Sequence, residues 1–217
     1  MRTGVIIGTD QRLLRDGLCR LLGDQPELNV VGEAANGQEV VALARELQPR
    51  LVLLSSHLPR LNAVDATQRI KSDAPSARII LLDAEPDWPH VRTGLNAGAC
   101  GFLPRESSYE ELLQCIDTVL EDQPYLSPRV TSVVVDEVRR APSGEVETVF
   151  SALTAREREV LQLIAEGLNT KEVAAQLGVS TKTVEWYRAQ LMRKLDCHSI
   201  ATLTRYAIRE GLVPLDG

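Results

Sequence analysis

The first half of the chain alternates short apolar runs with longer segments whose apolar residues recur at helical spacing. The longer segments predict five helices. The first contains Leu13–Leu22, and the others lie at 37–47, 63–72, 87–97 and 108–121. Five such β-α units with almost wholly apolar strands predict an α/β fold of the flavodoxin-like, doubly wound kind, a parallel sheet with helices on both faces. The predicted strands are Gly4–Gly8, Leu28–Glu33, Leu51–Ser55, Arg78–Leu82 and Cys100–Leu103.

The end of the chain has helical periodicity only. Thr154, with Glu157 three residues later, has the pattern of a capping box, and Gly167 and Gly178 are placed to end helices. This part therefore predicts an all-α domain. Its four helices are expected at Ala155–Glu166, about Thr170–Leu177, Thr181–Leu195 and Ser199–Gly211.

Prolines at 124, 128 and 142 mark the segment between these two regions, and Val130–Arg140 has the composition of one helix. We therefore expect a first domain at residues 1–122, a linker with one helix at 123–149, and a helical domain at 150–217.

Composition excludes several classes of protein. The 217 residues are 44% hydrophobic and 25% charged, which is typical of globular proteins, and no apolar run reaches the length of a membrane span. We expect a cytoplasmic protein without membrane contact. The four cysteines lack CxxC spacing, and the three histidines do not combine with them in metal-ligand patterns, so we expect reduced thiols, no metal site and no cofactor.

The net charge of −6 is unevenly distributed. Residues 150–217 contain nine basic and eight acidic residues, which leaves fifteen basic and twenty-two acidic residues in 1–149. The excess of acid therefore belongs to the first domain. If the helical domain binds DNA, its affinity depends on where its few cations lie, and dimerisation would double them.

Two helices joined by the short turn Gly178–Ser180, the second with exposed cations, are typical of a helix-turn-helix that places a recognition helix in the major groove. The alternative is a small helical bundle with a solvated charged face. The residues LTAREREVLQLIAEGLNTKEVAAQLGVSTKTVEWYRAQLMRKL resemble the LuxR-type helix-turn-helix of the NarL/FixJ family. The resemblance implies a DNA-binding transcription regulator that binds double-stranded DNA as a homodimer joined through its last helix, with further contacts between the first domains.

In that family the outward residues of the third helix contact base edges and phosphates. Arg188 is the best candidate for reading guanine, because its guanidinium matches the O6 and N7 acceptors, and Glu185 is suited to accept from cytosine N4. Trp186 is expected either to contact a thymine methyl or to pack beneath the helix. The predicted DNA-contacting residues are Lys182, Thr183, Glu185, Trp186, Arg188, Ala189 and Arg193.

The first domain resembles the receiver domain of NarL-type response regulators in the segments QRLLRDGLCRLL, VVGEAANGQEVVALARELQPRLVLL, LPRLNAVDATQRI and AGACGFLPRESSYEELLQCI. A working receiver of this family has two acids after its first strand, a phosphate-accepting Asp after its third, Thr or Ser after its fourth, and Lys after its fifth. The matching residues here are Thr9 and Asp10, Ser55, Asp83 and Arg105.

These differences predict a degenerate phosphorylation pocket. Ser55 offers a hydroxyl in place of the carboxylate that forms an acyl phosphate, and no histidine is expected beside it as a base. Asp10 alone is too little for a Mg²⁺ site, and Asp83 would repel phosphate. We expect Arg105 to pair with Asp10 or Asp83 and to fill the phosphate cavity.

The sequence thus predicts a sequence-specific transcription regulator whose receiver is not controlled by aspartyl phosphorylation. The alternative is a regulator controlled by a partner or a small metabolite, in which the receiver forms a heterodimer with a related regulator or binds an end-product at its strand ends. An enzyme is not expected. The sequence contains neither a GxSxG pattern around a serine nucleophile nor a His/Asp set placed to activate such a nucleophile.

Overall fold

The computed structural model describes residues 2–83, 87–140 and 153–213, and of Asp83 and Arg140 only the backbone. The chain divides into two compact units, Met1–Pro142 and Ser143–Gly217. Each unit has its own hydrophobic core.

The first unit is built on a six-stranded sheet with the order β2-β1-β3-β4-β5-β6, in which all pairs are parallel. This order confirms the flavodoxin-like layout. Its crevice for ligands is expected where the strand order reverses, at the carboxyl ends of β1 and β3. The strands are β1 (Thr3–Gly8), β2 (Leu28–Ala34), β3 (Leu51–Ser55), β4 (Arg78–Asp83), β5 (Gly101–Pro104) and β6 (Tyr125–Leu126).

Helices cover both faces of this sheet. Successive residues of a strand point to opposite faces, and neighbouring residues of β3 accordingly belong to different cores: Val52 and Leu54 to one, Leu51 and Leu53 to the other. The five helices expected in this region are all present. They are α1 (Arg12–Gly23), α2 (Gly37–Leu47), α3 (Ala63–Asp73), α4 (Trp88–Ala97) and α5 (Tyr109–Leu120).

The first unit extends beyond the expected boundary at residue 122. β6, which the sequence analysis did not predict, pairs with β5, and α6 (Pro128–Arg140) packs against α4 and β5. The apolar side of α6 explains this packing, because Val130 is buried and Val134 lies against the same core. The segment predicted as a linker therefore contributes its helix to the first unit. Its residues 141–149 lie outside the described residues.

The second unit has the four expected helices, and Thr154, Asn169, Ser180 and Ser199 cap them. A single apolar core joins them through Leu161, Val173, Val184 and Leu203. None of the helices that the structure describes is long and apolar enough to cross a membrane. The helices are α7 (Ala155–Ala165), α8 (Thr170–Leu177), α9 (Thr181–Lys194) and α10 (Ile200–Arg209).

Candidate nucleic-acid interface and receiver pocket

The turn between α8 and α9 is fixed by its end residues. Gly178 closes α8 in the left-handed conformation with φ +64°, which favours glycine because it lacks a Cβ. Ser180 caps α9, where its side-chain oxygen accepts a hydrogen bond from Thr183 N at 3.1 Å. Thr183 is thereby a structural part of the turn. These two caps set the geometry of a helix-turn-helix.

One side of α9 is buried and the opposite side is open. Val184 and Leu191 are buried in the core of the second unit. The open side is formed by five of the predicted DNA-contacting residues, which are exposed among the described residues of the second unit. They are Lys182, Glu185, Trp186, Ala189 and Arg193.

Trp186 lies on the open side of α9. It therefore does not pack beneath the helix, which was the other position that the sequence allowed. Its side chain is 56% exposed. Its ring meets that of Tyr187 edge to face, with 5.0 Å between the centroids. Contact with Tyr187 restricts the indole while leaving it accessible to a ligand, as a contact with a thymine methyl requires.

Arg188 has a different environment from its neighbours. It is half-buried and lines a cavity of about 360 Å³ at the first residues of α8 and α10, which include Thr170 and Ile200. The cause is the helical repeat, since Arg188 follows the buried Val184 by four residues. Arg188, predicted to face outward, therefore lies at the flank of α9 next to α8.

A buried carboxylate ties the end of α9 to the beginning of α7. Glu157 accepts hydrogen bonds from Lys194 Nζ at 2.8 Å, from Thr154 N at 2.9 Å and from Thr154 Oγ1 at 3.0 Å. Burial raises the pKa of Glu157, but the bonds from Lys194 and Thr154 outweigh burial, so the pKa is lowered overall. The sequence analysis found the capping box and missed Lys194, because 37 residues separate the two partners.

Arg156 connects α7 to the end of α8. Its Nη1 lies 2.8 Å from Glu159 Oε2, and its Nη2 donates to the backbone oxygen of Leu177 at 2.8 Å. Neighbouring residues of α7 thus hold the carboxyl ends of both helices of the helix-turn-helix. We conclude that α7 fixes the angle at which α9 is presented.

At the carboxyl ends of the sheet strands, Thr9 and Ser55 are both buried. Thr9 Oγ1 accepts a hydrogen bond from Gln11 N at 3.3 Å, and the backbone oxygen of Thr9 accepts one from Arg15 Nη1 at 2.7 Å. Arg15 also pairs with Glu33 at 3.6 Å. Arg15 was missed by the sequence analysis, because only the folding of α1 against the end of β1 brings it to this pocket.

The decisive contact of the pocket joins Ser55 to Arg105. Arg105 Nη2 donates a hydrogen bond of 2.7 Å to Ser55 Oγ across fifty residues of sequence. Arg105 Nε is buried without a hydrogen-bond partner in the part of the chain that the structure describes. A guanidinium therefore lies against the side chain that stands at the end of β3.

This contact corrects the expected pairing of Arg105 with Asp10. Asp10 is exposed, and among the described residues no ion pair joins it to Arg105. Asp10 lies beyond the end of β1 and faces solvent, whereas the hydroxyl of Ser55 is buried within reach of the guanidinium. The side chain of Asp83, the other expected partner, lies outside the described residues.

A second polar cluster, which the sequence analysis missed, lies next to the pocket. His57 Nδ1 is 3.1 Å from Ser56 Oγ, and the centroid of its ring is 6.1 Å from that of His90. Asp87 caps α4 and accepts from His90 Nδ1 at 2.7 Å. Burial raises the pKa of Asp87, but the hydrogen bonds from His90 outweigh it and lower the pKa.

Comparison with known families identifies both units. Residues 5–117 match the response regulator receiver domain, and residues 151–207 match the bacterial regulatory proteins of the luxR family. The chain is a response regulator of the LuxR-type NarL/FixJ family.

Curated relatives of this response regulator are similar over nearly the whole chain. The transcriptional regulatory protein LiaR of Bacillus subtilis is 33% identical, over 96% of this chain and 98% of LiaR. The response regulator GacA of Pseudomonas protegens is 31% identical, over 96% of this chain and 97% of GacA. The family assignment therefore covers both units.

Solved structures give the same fold. A LuxR-family two-component response regulator from Aurantimonas sp. SI85-9A1 matches with a TM-score of 0.61 and 27% identity, over 64% of this chain and 99% of that chain. The response regulator RcsB in an RcsB–DNA complex matches with a TM-score of 0.59 and 22% identity, over 95% of this chain and 98% of that chain. The chain is a DNA-binding transcriptional response regulator.

The described side chains of the receiver pocket can be compared with what Mg²⁺, the ion that receivers of the family use, prefers. A magnesium ion prefers an octahedral shell of oxygens with one or two carboxylates. Thr9 and Ser55 supply neutral hydroxyls, and the guanidinium of Arg105 lies 2.7 Å from Ser55 Oγ. Among the described residues no group of three metal-binding side chains is assembled.

Proposed function

We propose that this response regulator binds specific DNA sequences as a homodimer and that its receiver is not controlled by aspartyl phosphorylation. The observation that carries the proposal is the hydrogen bond of 2.7 Å from Arg105 Nη2 to the fully buried Ser55 Oγ. A serine hydroxyl at this position cannot form the acyl phosphate that an aspartate forms. The guanidinium of Arg105 occupies the position beside it.

The test is incubation of the full chain with acetyl phosphate and Mg²⁺, followed by intact-protein mass spectrometry and a DNA-binding titration. We expect no added phosphate and no change in affinity, and Ser55→Ala should bind its operator like the parent. A Ser55→Asp variant restores the carboxylate alone and serves as the matched control. We expect it to remain unphosphorylated too, because Thr9 still offers a neutral hydroxyl where Mg²⁺ prefers a carboxylate. A phosphate on any residue of the parent's pocket would overturn the proposal.

We assign the contacts with the base edges of DNA to residues on the open side of α9. Glu185, Trp186 and Ala189 are exposed there at helical spacing, so they share the face that can enter a major groove. Lys182 and Arg193 lie at the two ends of that face and are suited to phosphates. Arg188, at the flank beside the first turn of α8, is also assigned to a phosphate, because helix N-termini attract anions.

A second candidate function is control by a small molecule. A cavity of about 160 Å³ lies between α1, α5 and the ends of β4 and β5, lined mainly by leucines and by Arg105. Its volume is below the roughly 300–1,000 Å³ of typical ligand sites, so only a small molecule fits without rearrangement. The unpartnered Nε of Arg105 favours an anionic group. Titration with short apolar carboxylates and with related regulators, followed by DNA affinity, separates ligand control from heterodimerisation.

A further inference from the structure

An acidic side chain lies on the side of α9 that can enter a major groove. Glu185 is exposed, and no hydrogen bond or ion pair joins its carboxylate to another residue that the structure describes. A carboxylate repels the phosphates of DNA, so it costs affinity there unless a base donates a hydrogen bond to it. The donors that bases present in the major groove are the N4 amino group of cytosine and the N6 amino group of adenine. Glu185 therefore selects a base with an amino group.

The large apolar side chain that follows Glu185 selects a different chemical group. Trp186 is exposed, and its indole meets the ring of Tyr187 edge to face, with 5.0 Å between the centroids. An indole that is already restricted in this way loses little rotamer freedom when it packs on a base. The apolar group that a base edge offers in the major groove is a methyl group on C5 of a pyrimidine. Trp186 therefore selects a C5-methyl group.

These two side chains belong to one small patch with Ala189. Ala189 follows Trp186 by three residues and Glu185 by four, and residues at these spacings are neighbours on the surface of a helix. Ala189 is exposed and its side chain ends at Cβ, so it leaves space beside the two larger side chains. The edge of a single base fits into this space. Atoms C4 and C5 are adjacent in a pyrimidine ring, so one pyrimidine presents its substituents at positions 4 and 5 to the patch together.

The two requirements exclude the four ordinary bases. Thymine has the methyl group at C5, but its O4 is an acceptor, which repels a carboxylate. Cytosine has the N4 donor but only a hydrogen at C5. The purines adenine and guanine have no such methyl group. The pyrimidine with an amino group at position 4 and a methyl group at position 5 is 5-methylcytosine.

We propose that Glu185 and Trp186 together read 5-methylcytosine, so that this regulator binds its operator more tightly when a cytosine of the half-site is methylated at C5. Glu185 accepts a hydrogen bond from N4, and the indole of Trp186 packs on the methyl group. The inference rests on the proposed function, which assigns base contacts to the open side of α9. Methylation of DNA thereby supplies an input that does not pass through the receiver.

Four duplexes separate the contact at position 4 from the contact at position 5. Selection from a random DNA library, with the full chain and with its Glu185→Gln variant, gives the operator and locates the base that Glu185 reads, since the selected base changes there. That base is then made cytosine, 5-methylcytosine, uracil or thymine, each with its complementary purine. The parent should bind the 5-methylcytosine duplex about four-fold more tightly than the cytosine duplex, the value for burial of one methyl group. It should bind it about ten-fold more tightly than the thymine duplex, which lacks the hydrogen bond to the charged group.

Each variant should remove one preference and retain the other. Trp186→Ala should bind the cytosine and 5-methylcytosine duplexes equally, while still preferring both to uracil and thymine. Glu185→Gln should tolerate either substituent at position 4, because an amide both donates and accepts, and should keep the preference for the methyl group. Lys182→Ala is the matched control, because loss of a phosphate contact should weaken binding to all four duplexes by the same factor. Unchanged binding of Trp186→Ala to random DNA shows that this variant is folded.

Several outcomes would overturn the proposal. They are a parent that binds the 5-methylcytosine duplex no more tightly than the cytosine duplex, a thymine duplex that binds most tightly, a methyl preference that persists in Trp186→Ala, and a Glu185→Gln variant that selects the same base at every position. All of them would leave the proposed function intact, because the chain would still bind its selected operator. If the parent selected no sequence at all, sequence-specific binding itself would be contradicted.

Discussion

Lys194 Nζ lies 2.8 Å from Glu157 Oε2, so the last residue of the recognition helix is tied to the first turn of α7. The carboxylate is buried and the lysine is partly exposed. Because Glu157 also accepts hydrogen bonds from Thr154, the negative charge of its carboxylate is compensated inside the protein. The position of α9 consequently depends on one buried acid.

Glu157→Gln should lower the stability of the second unit by about 1–3 kcal/mol, since the amide loses the charged partner but keeps the shape. The matched control is Glu172→Gln, an exposed acid in the capping box of α8, which should cost about 0.5 kcal/mol or less. In a Trp88→Phe chain, Trp186 is the only tryptophan and its fluorescence reports unfolding of the second unit in urea. Equal losses in both variants would contradict the special role of Glu157.

The same pair predicts a pH dependence. The pKa of Glu157 is lowered in the folded chain below its ordinary value of 4.5. A carboxylate whose pKa is lower in the folded chain than in the unfolded chain stabilises the folded state. This stabilisation is fully present above the pKa of the unfolded chain and is lost as the pH falls through the pKa of the folded chain. The difference in unfolding free energy between the parent and Glu157→Gln should therefore be largest near pH 7 and should shrink below about pH 4.5. A difference in unfolding free energy that stays constant down to pH 3 would contradict the lowered pKa of Glu157.

Arg188→Ala should weaken binding to operator and random DNA by similar factors, because a phosphate contact carries no sequence information. It should also reduce the slope of log affinity against log salt by about 0.9, the value for one phosphate. Glu185→Gln is the contrast, because it should change the preferred base while leaving the salt slope almost unchanged. If Arg188→Ala lost only specific binding, the guanine contact expected from the sequence would be correct instead.

A two-fold dimer on DNA should require correct spacing between half-sites. Recognition helices that enter successive major grooves are separated by one helical turn, roughly 10 base pairs. Insertion of five base pairs between half-sites turns one of them to the opposite side of the duplex and should reduce affinity to the non-specific level. Insertion of ten base pairs is the matched control and should retain more binding. Equal affinity for both insertions, measured by gel shift, would indicate monomeric recognition.

Ser55 and Arg105 should be energetically coupled. Ser55→Ala and Arg105→Met each remove one partner of the hydrogen bond between these residues. The free energy of unfolding that the double variant loses should be smaller than the sum of the two single losses, by about 1–2 kcal/mol. Trp88, with Trp186→Phe, reports unfolding of the first unit. Additive losses would show that the contact contributes nothing to the closed pocket.

The sequence by itself determined both folds and the residues on the helix-turn-helix. Apolar runs of strand length and helical periodicity are local patterns, and among the elements that the structure describes they predicted every helix and each strand except β6. Cap residues such as Thr154 and Ser180 are equally local, because a side chain that accepts from the backbone N–H three residues later can be predicted from spacing.

Only the tertiary structure decided which distant side chains meet. The sequence predicted that Arg105 would pair with Asp10 or Asp83; the folded chain brings Arg105 to Ser55 and leaves Asp10 exposed, because burial of the hydroxyl and exposure of Asp10 are set by the packing of separate strands. The same holds for Lys194 with Glu157 and for the flank position of Arg188. β6 escaped prediction since two residues are too short for a periodic pattern, and its pairing with β5 supplies the stabilisation.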